Sequence, residues 1–96
     1  MFIVDAKKLY NGKVEIYSSI NSNFAKVLVK LKKPGTYNLG KASCKSIITV
    51  ETGKVIVNGV GLDKDQKMTI QKGERIDVQT AIYSEYKMET DQYGLK

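Results

Sequence analysis

Between Gly35 and Gly59 the chain reads GTYNLGKASCKSIITVETGKVIVNG, in which short runs of β-branched residues are cut by glycines. Ile47–Ile48–Thr49–Val50 lies on one side of Gly53 and Val55–Ile56–Val57 on the other. β-Branched side chains lose rotamer freedom in a helix but pack well on a pleated surface. Glycine supplies the backbone freedom that a turn needs. Runs this short, bounded this way, predict strands. The pattern continues in Met68–Thr69–Ile70 and Ile76–Asp77–Val78 on either side of Gly73, and Lys33–Pro34–Gly35 has the chemistry of a tight turn. Short strands at even spacing predict an all-β sandwich or a small double-stranded β-sheet barrel.

Two earlier segments alternate with a period of two. Val14, Ile16 and Ser18 alternate with Lys13, Glu15 and Tyr17, and Val27, Val29 and Leu31 with Lys26, Leu28, Lys30 and Lys32. Each reads as a strand with one face in a core and one in solvent. Asn21–Ser22–Asn23 between them is turn chemistry. No window carries a helical stripe; Asp5–Tyr10 could form one turn at most, and residues 1–9 read as a lead-in strand. Val50–Val57 and Thr69–Val78 each read strand, glycine, strand, the pattern of two stacked hairpins. Gly59–Val60–Gly61 reads as a hairpin turn and Asp63–Lys64–Asp65 as an exposed turn, since the latter lacks the glycine and glutamate of a calcium loop. The polar segment Asp91–Lys96 is expected to fray.

The 96 residues form a single expected domain, 1–96. A chain of this length buries about 60–65% of its unfolded surface, so its core is thin. A homodimer that hides one sheet face is the expected remedy. Cys44 is the only cysteine, which excludes an intrachain disulfide. The opening MFIVDAKKLY is too short in apolar residues for a signal peptide or a membrane span. A cytoplasmic protein without membrane association is expected.

The chain has no histidine, which removes the commonest metal ligand and general base, and no metal site is expected. No phosphate-cradling loop of the GxxxxGK[ST] type is present. Sixteen basic residues against ten acidic give a net charge of +6, with lysines denser at Lys30, Lys32 and Lys33. Such a surface keeps a protein soluble and also attracts anions. Arg75 is the only arginine, and sequence-specific nucleic-acid readers use arginine for bidentate contacts, so that class is not expected. Tyr37, Tyr83 and Tyr86 carry rings that could stack a flat base while their hydroxyls bond its rim; equally, they could fill a tryptophan-free core or a dimer face.

From Tyr10 to Glu89 the layout resembles the small cupin-type pyrimidine/purine nucleoside phosphorylases. The matching pieces are Tyr10–Asn11–Gly12–Lys13–Val14, Gly35–Thr36–Tyr37–Asn38–Leu39, Ile48–Thr49–Val50–Glu51–Thr52–Gly53, Lys54–Val55–Ile56–Val57, Lys72–Gly73–Glu74–Arg75–Ile76–Asp77–Val78 and Ser84–Glu85–Tyr86. The resemblance implies a cupin barrel that cleaves nucleosides to free base and ribose 1-phosphate. Inorganic phosphate would be the co-substrate, with no cofactor or metal. By position it implies Lys41, Lys45 or Arg75 for phosphate, and Tyr37, Ser46, Gln79, Thr80 and Ser84, with Tyr83 and Tyr86, for the nucleoside. Two departures stand out. Ser46 occupies the place of the family's glutamate, after a lost proline near Cys44 and Lys45, and Gln79 replaces a second proline. A kept scaffold with a changed mouth also fits a non-catalytic cupin that holds a nucleotide or small phosphorylated ligand. A scaffold for an acidic protein partner is a further alternative.

Overall fold

The computed structural model describes residues 3–20 and 24–91. Every regular element among them is a strand: β1 (Ile3–Leu9), β2 (Val14–Ile20), β3 (Phe24–Leu31), β4 (Gly35–Lys41), β5 (Ser46–Thr52), β6 (Lys54–Val57), β7 (Val60–Asp63), β8 (Lys67–Ile70), β9 (Arg75–Thr80) and β10 (Ser84–Asp91). The segment that could have made a helical turn, Asp5–Tyr10, is instead mostly strand, paired residue for residue with β2 from Ile3↔Ile20 to Leu9↔Val14. The expected turn at Asn21–Ser22–Asn23, and the tail beyond Asp91, lie outside the described residues.

Two antiparallel sheets face each other. The larger has the order β1-β2-β3-β10-β5-β8 and the smaller β4-β9-β6-β7. Strand–glycine–strand segments that look like hairpins in the sequence turn out to be corners. β5 and β6 flank Gly53 but belong to different sheets, and so do β8 and β9 around Gly73. The two segments pair with one another instead, β5 with β8 and β6 with β9. A true two-residue hairpin forms at Asn58–Gly59, both at positive φ, where Val57 pairs with Val60. That is the asparagine–glycine signature of a primed turn. Val60 and Gly61 therefore belong to β7 rather than to the turn.

Alternation puts one face of each strand into the space between the sheets. Val14, Val29, Leu31, Ile48, Val50, Ile70 and Tyr86 enter from the larger sheet, and Tyr37, Val55, Val57, Leu62, Ile76 and Val78 from the smaller; all are buried. Leu9, Ile16, Val27, Leu39, Met68 and Met88 pack half-buried against them. The barrel is thus filled with side chains at its centre. Thr49, on the opposite face of β5 from Ile48 and Val50, is buried with an unpartnered hydroxyl.

Candidate functional site

The same alternation that fills the barrel decides what lies outside it. In β6 the residues run exposed, buried, exposed, buried, which sends Lys54 and Ile56 outward. In β9 Gln79 points outward, and the register sets it beside Ile56. The chain then bends through Ala81 and Ile82 into β10. Lys54, Ile56, Gln79, Thr80, Ala81 and Ile82 line a cleft of about 280 Å³ on the outer side of the smaller sheet. Its floor is apolar, and two of its isoleucines are exposed, Ile56 at 37% and Ile82 at 55%.

A buried pair of hydroxyls forms the back of the cleft. Thr80 Oγ1 lies 2.6 Å from the carbonyl of Ile82 and 2.9 Å from Ser84 Oγ. Ser84 Oγ accepts from the Lys54 amide at 3.2 Å and lies 3.1 Å from the Lys54 carbonyl. These bonds tie the start of β6 to the β9–β10 corner. The backbones come so close that residue 53 must lack a Cβ. At φ 81°, a Cβ on Gly53 would lie 2.6 Å from the Tyr83 carbonyl and closer still to Ser84 Oγ.

The cleft has a single charged wall. Lys54 Nζ is 3.7 Å from Asp63 Oδ1, with both side chains well exposed. Pairs of this kind contribute about 0–1 kcal/mol, so the ammonium can exchange that partner for another anion. No carboxylate, thiol or imidazole lines the cleft.

Of the residues singled out for a nucleoside, Gln79 and Thr80 line this cleft and Ser84 stands behind it. Tyr83 is exposed and does not line the cleft; its hydroxyl donates to Glu85 on the outer face of β10, and that bond, before burial, pushes its pKa up to about 12. The others are elsewhere and occupied. Tyr37 is buried, its hydroxyl donating to the Lys33 carbonyl at 2.7 Å, where it closes the turn before β4. Ser46 Oγ is buried and donates to the Cys44 carbonyl at 2.9 Å. Tyr86 stands in the core, where burial pushes its pKa upward.

The residues singled out for phosphate do not join them. Lys41 and Arg75 are brought opposite each other across β4 and β9, and Arg75 Nη2 is 3.5 Å from Asp77 Oδ1. They sit at the far end of β9 from Thr80, about 17 Å away at the rise of a strand. Lys45 precedes β5 in the other sheet, its carbonyl accepting from Thr90 Oγ1 at 3.0 Å. Lys54, Ile56, Ala81 and Ile82 were not singled out by sequence. An isoleucine at an outward strand position and another in a polar bend are the signals that point to them.

Neither a family model nor a curated protein sequence matches this chain. Solved structures do. A protein of unknown function from Vibrio parahaemolyticus superposes with a TM-score of 0.79 at 15% identity, over 91% of this chain and 97% of that one. A cupin-2 domain protein from Rhodospirillum rubrum gives 0.71 at 10% identity, over 99% and 72%. An RmlC-like cupin from Shewanella frigidimarina gives 0.69 at 13% identity, over 92% and 83%. The fold is that of a cupin. At such identities the likeness extends to the cupin architecture alone, and the phosphorylase resemblance gains no support from it beyond the shared barrel. Among the described residues, no group of three or more His, Cys, Asp or Glu could hold a metal ion, and no helix is long and apolar enough to cross a membrane.

Proposed function

We propose that this cupin is a binding module that holds a small anionic ligand, of the nucleotide or phosphorylated class, in the outer cleft without transforming it. One observation carries the reading: an apolar floor meets a single exchangeable cation, and no carboxylate, thiol or imidazole lines the cleft. Ile56 and Ile82 offer contact to a flat or aliphatic body, Lys54 to an anionic group, and the Gln79 amide to a polar rim. At about 280 Å³ the cleft is at the small end of ligand pockets, which run to about 300–1,000 Å³, so the ligand is compact. Phosphorolysis would require a phosphate oxygen within about 3–3.5 Å of the sugar carbon. Arg75 and Thr80 stand at opposite ends of β9, about 17 Å apart, and none of Lys41, Lys45 and Arg75 lines the cleft, which favours holding over cleavage.

The test is a thermal-shift panel of nucleosides, nucleoside monophosphates and phosphosugars, with and without inorganic phosphate, followed by chromatography for free base. A ligand at about 100 times its dissociation constant adds about 2.7 kcal/mol, or about 10 °C and more in a domain of this size. The expected result is such a shift with the ligand recovered intact, and its loss in Lys54→Ala. A flat melting temperature across the panel would overturn the reading. Free base released only with phosphate would replace it with phosphorolysis.

A further inference from the structure

We propose that the outer face of the six-stranded sheet is the interface of a two-fold dimer of this chain. No other described strand belongs to that sheet; the four strands outside it form the smaller sheet, which packs on its inner side. One row of its charges alternates in sign, as the register shows. Lys8 pairs with Glu15, Glu15 with Lys30, and Lys30 with Glu85. The four residues form one straight row across β1, β2, β3 and β10 with signs plus, minus, plus, minus. In the neighbouring row, Tyr17 of β2 stands directly beside Leu28 of β3, both half-buried.

An alternating row of four is complementary to its own reversal. Let a second copy face the first across a two-fold axis that runs parallel to the strands, between β2 and β3. Lys8 then stands opposite the partner's Glu85, Glu15 opposite the partner's Lys30, and Tyr17 opposite the partner's Leu28. An axis perpendicular to the strands would instead set Lys8 on Lys8 and Glu15 on Glu15. The pattern therefore selects the axis as well as the face, as an isologous interface must. Apolar contact between Tyr17 and the partner's Leu28 falls beside the row of ionic pairs.

Three of the four charged groups, Glu15, Lys30 and Glu85, are already held in place. Tyr17 donates to Glu15 Oε1 at 2.8 Å, and Lys32 Nζ lies 3.4 Å from Glu15 Oε2. Lys30 Nζ sits 5.2 Å from the centroid of the Tyr17 ring, and Tyr83 donates to Glu85. Side chains fixed in this way lose less freedom on association.

Lys8 and Glu85 give the decisive test, because within one chain they lie three strand spacings apart, about 14 Å, and do not touch. Sedimentation is measured from micromolar to millimolar protein for wild type, Lys8→Glu and Glu85→Lys, each checked by circular dichroism for an intact fold. Wild type is expected to sediment as a concentration-dependent dimer that weakens as salt rises. Each single reversal sets like charges opposite each other twice and should raise the dimer dissociation constant by about ten-fold or more. Mixing the two variants should restore the dimer, because in the mixed pair Glu faces Lys at both places. Should either reversal fail to fold, Lys8→Gln together with the salt dependence of wild type reads the same contact. A wild type that stays monomeric overturns the proposal. So does a dimer indifferent to salt and to both reversals, or a mixture that stays monomeric.

Discussion

The inside of this barrel and the cleft on its outside are built from the same two strands, β6 and β9, yet they differ in almost every respect. Inward, these strands present Val55, Val57, Ile76 and Val78, all buried in one core cluster with Tyr86 and Ile48. Outward, they present Lys54, Ile56 and Gln79 around open space. A strand has two faces, and filling one with aliphatic side chains leaves chemistry only to the other. Here the space between the sheets is packed, and Lys54 and Gln79 stand on the outer surface.

The comparison can be broken most forcefully from inside. Tyr86→Ala removes the largest buried side chain of the core and should lower stability by about 3–5 kcal/mol, read by denaturant unfolding. A loss under about 1 kcal/mol would mean that the interior is not packed as described. Gly53→Ala attacks the seam between inside and outside. The positive φ alone disfavours alanine by about 1–2 kcal/mol, and the collision with Ser84 and the Tyr83 carbonyl adds to it. An unchanged unfolding midpoint would show that the two corners do not touch.

Tyrosine titration sharpens the contrast without disturbing the fold. Tyr86 resists ionisation because it is buried, whereas Tyr83 resists because it donates to Glu85. Glu85→Gln should therefore bring Tyr83 back toward 10 while Tyr86 still ionises last, followed by tyrosinate absorbance. The folded pKa of Tyr83 is raised above its unfolded value. Its contribution to stability is thus fully present below pH 10 and is lost as pH rises through about 12. Coincident ionisation of both rings in the variant would count against the two separate causes.

Smaller effects are expected on the outward faces. Lys54→Ala should change stability by under about 1 kcal/mol, since its ion pair is exposed, while removing the ligand-dependent shift. Thr49→Val replaces a buried, unpartnered hydroxyl with a methyl of similar shape and should be neutral or stabilising by up to about 1 kcal/mol. A marked loss in chemical denaturation would reveal a partner for that hydroxyl.

Strands were legible because their signal is local. The alternation of Val27, Val29 and Leu31 with Lys26, Leu28, Lys30 and Lys32 can be read residue by residue, and it maps onto the two faces of β3. Connections were less legible. Gly53 and Gly73 interrupt apolar runs in the way a hairpin glycine does; only remote pairing, β5 with β8 and β6 with β9, shows that they turn corners between sheets. The cleft suffered in the same way. Gln79 and Thr80 stood out beside a missing proline, but Lys54 and Ile56 lie more than twenty residues earlier and become their neighbours only through the register of β6 on β9. The phosphate candidates rest on position within the resemblance, and nothing local reports that β9 carries Arg75 away from Thr80.

The order of the larger sheet has a consequence for how the chain is made. Its fourth strand, between β3 and β5, is β10, the last of the ten described strands to leave the ribosome. Until it emerges, β1–β2–β3 and β5–β8 are two separate ribbons, each with a bare hydrogen-bonding edge at what will become the middle of the sheet. Nascent chains arrested before Ser84 should accordingly be captured by factors that bind exposed strand edges, and release from that capture should coincide with the arrival of one eight-residue segment.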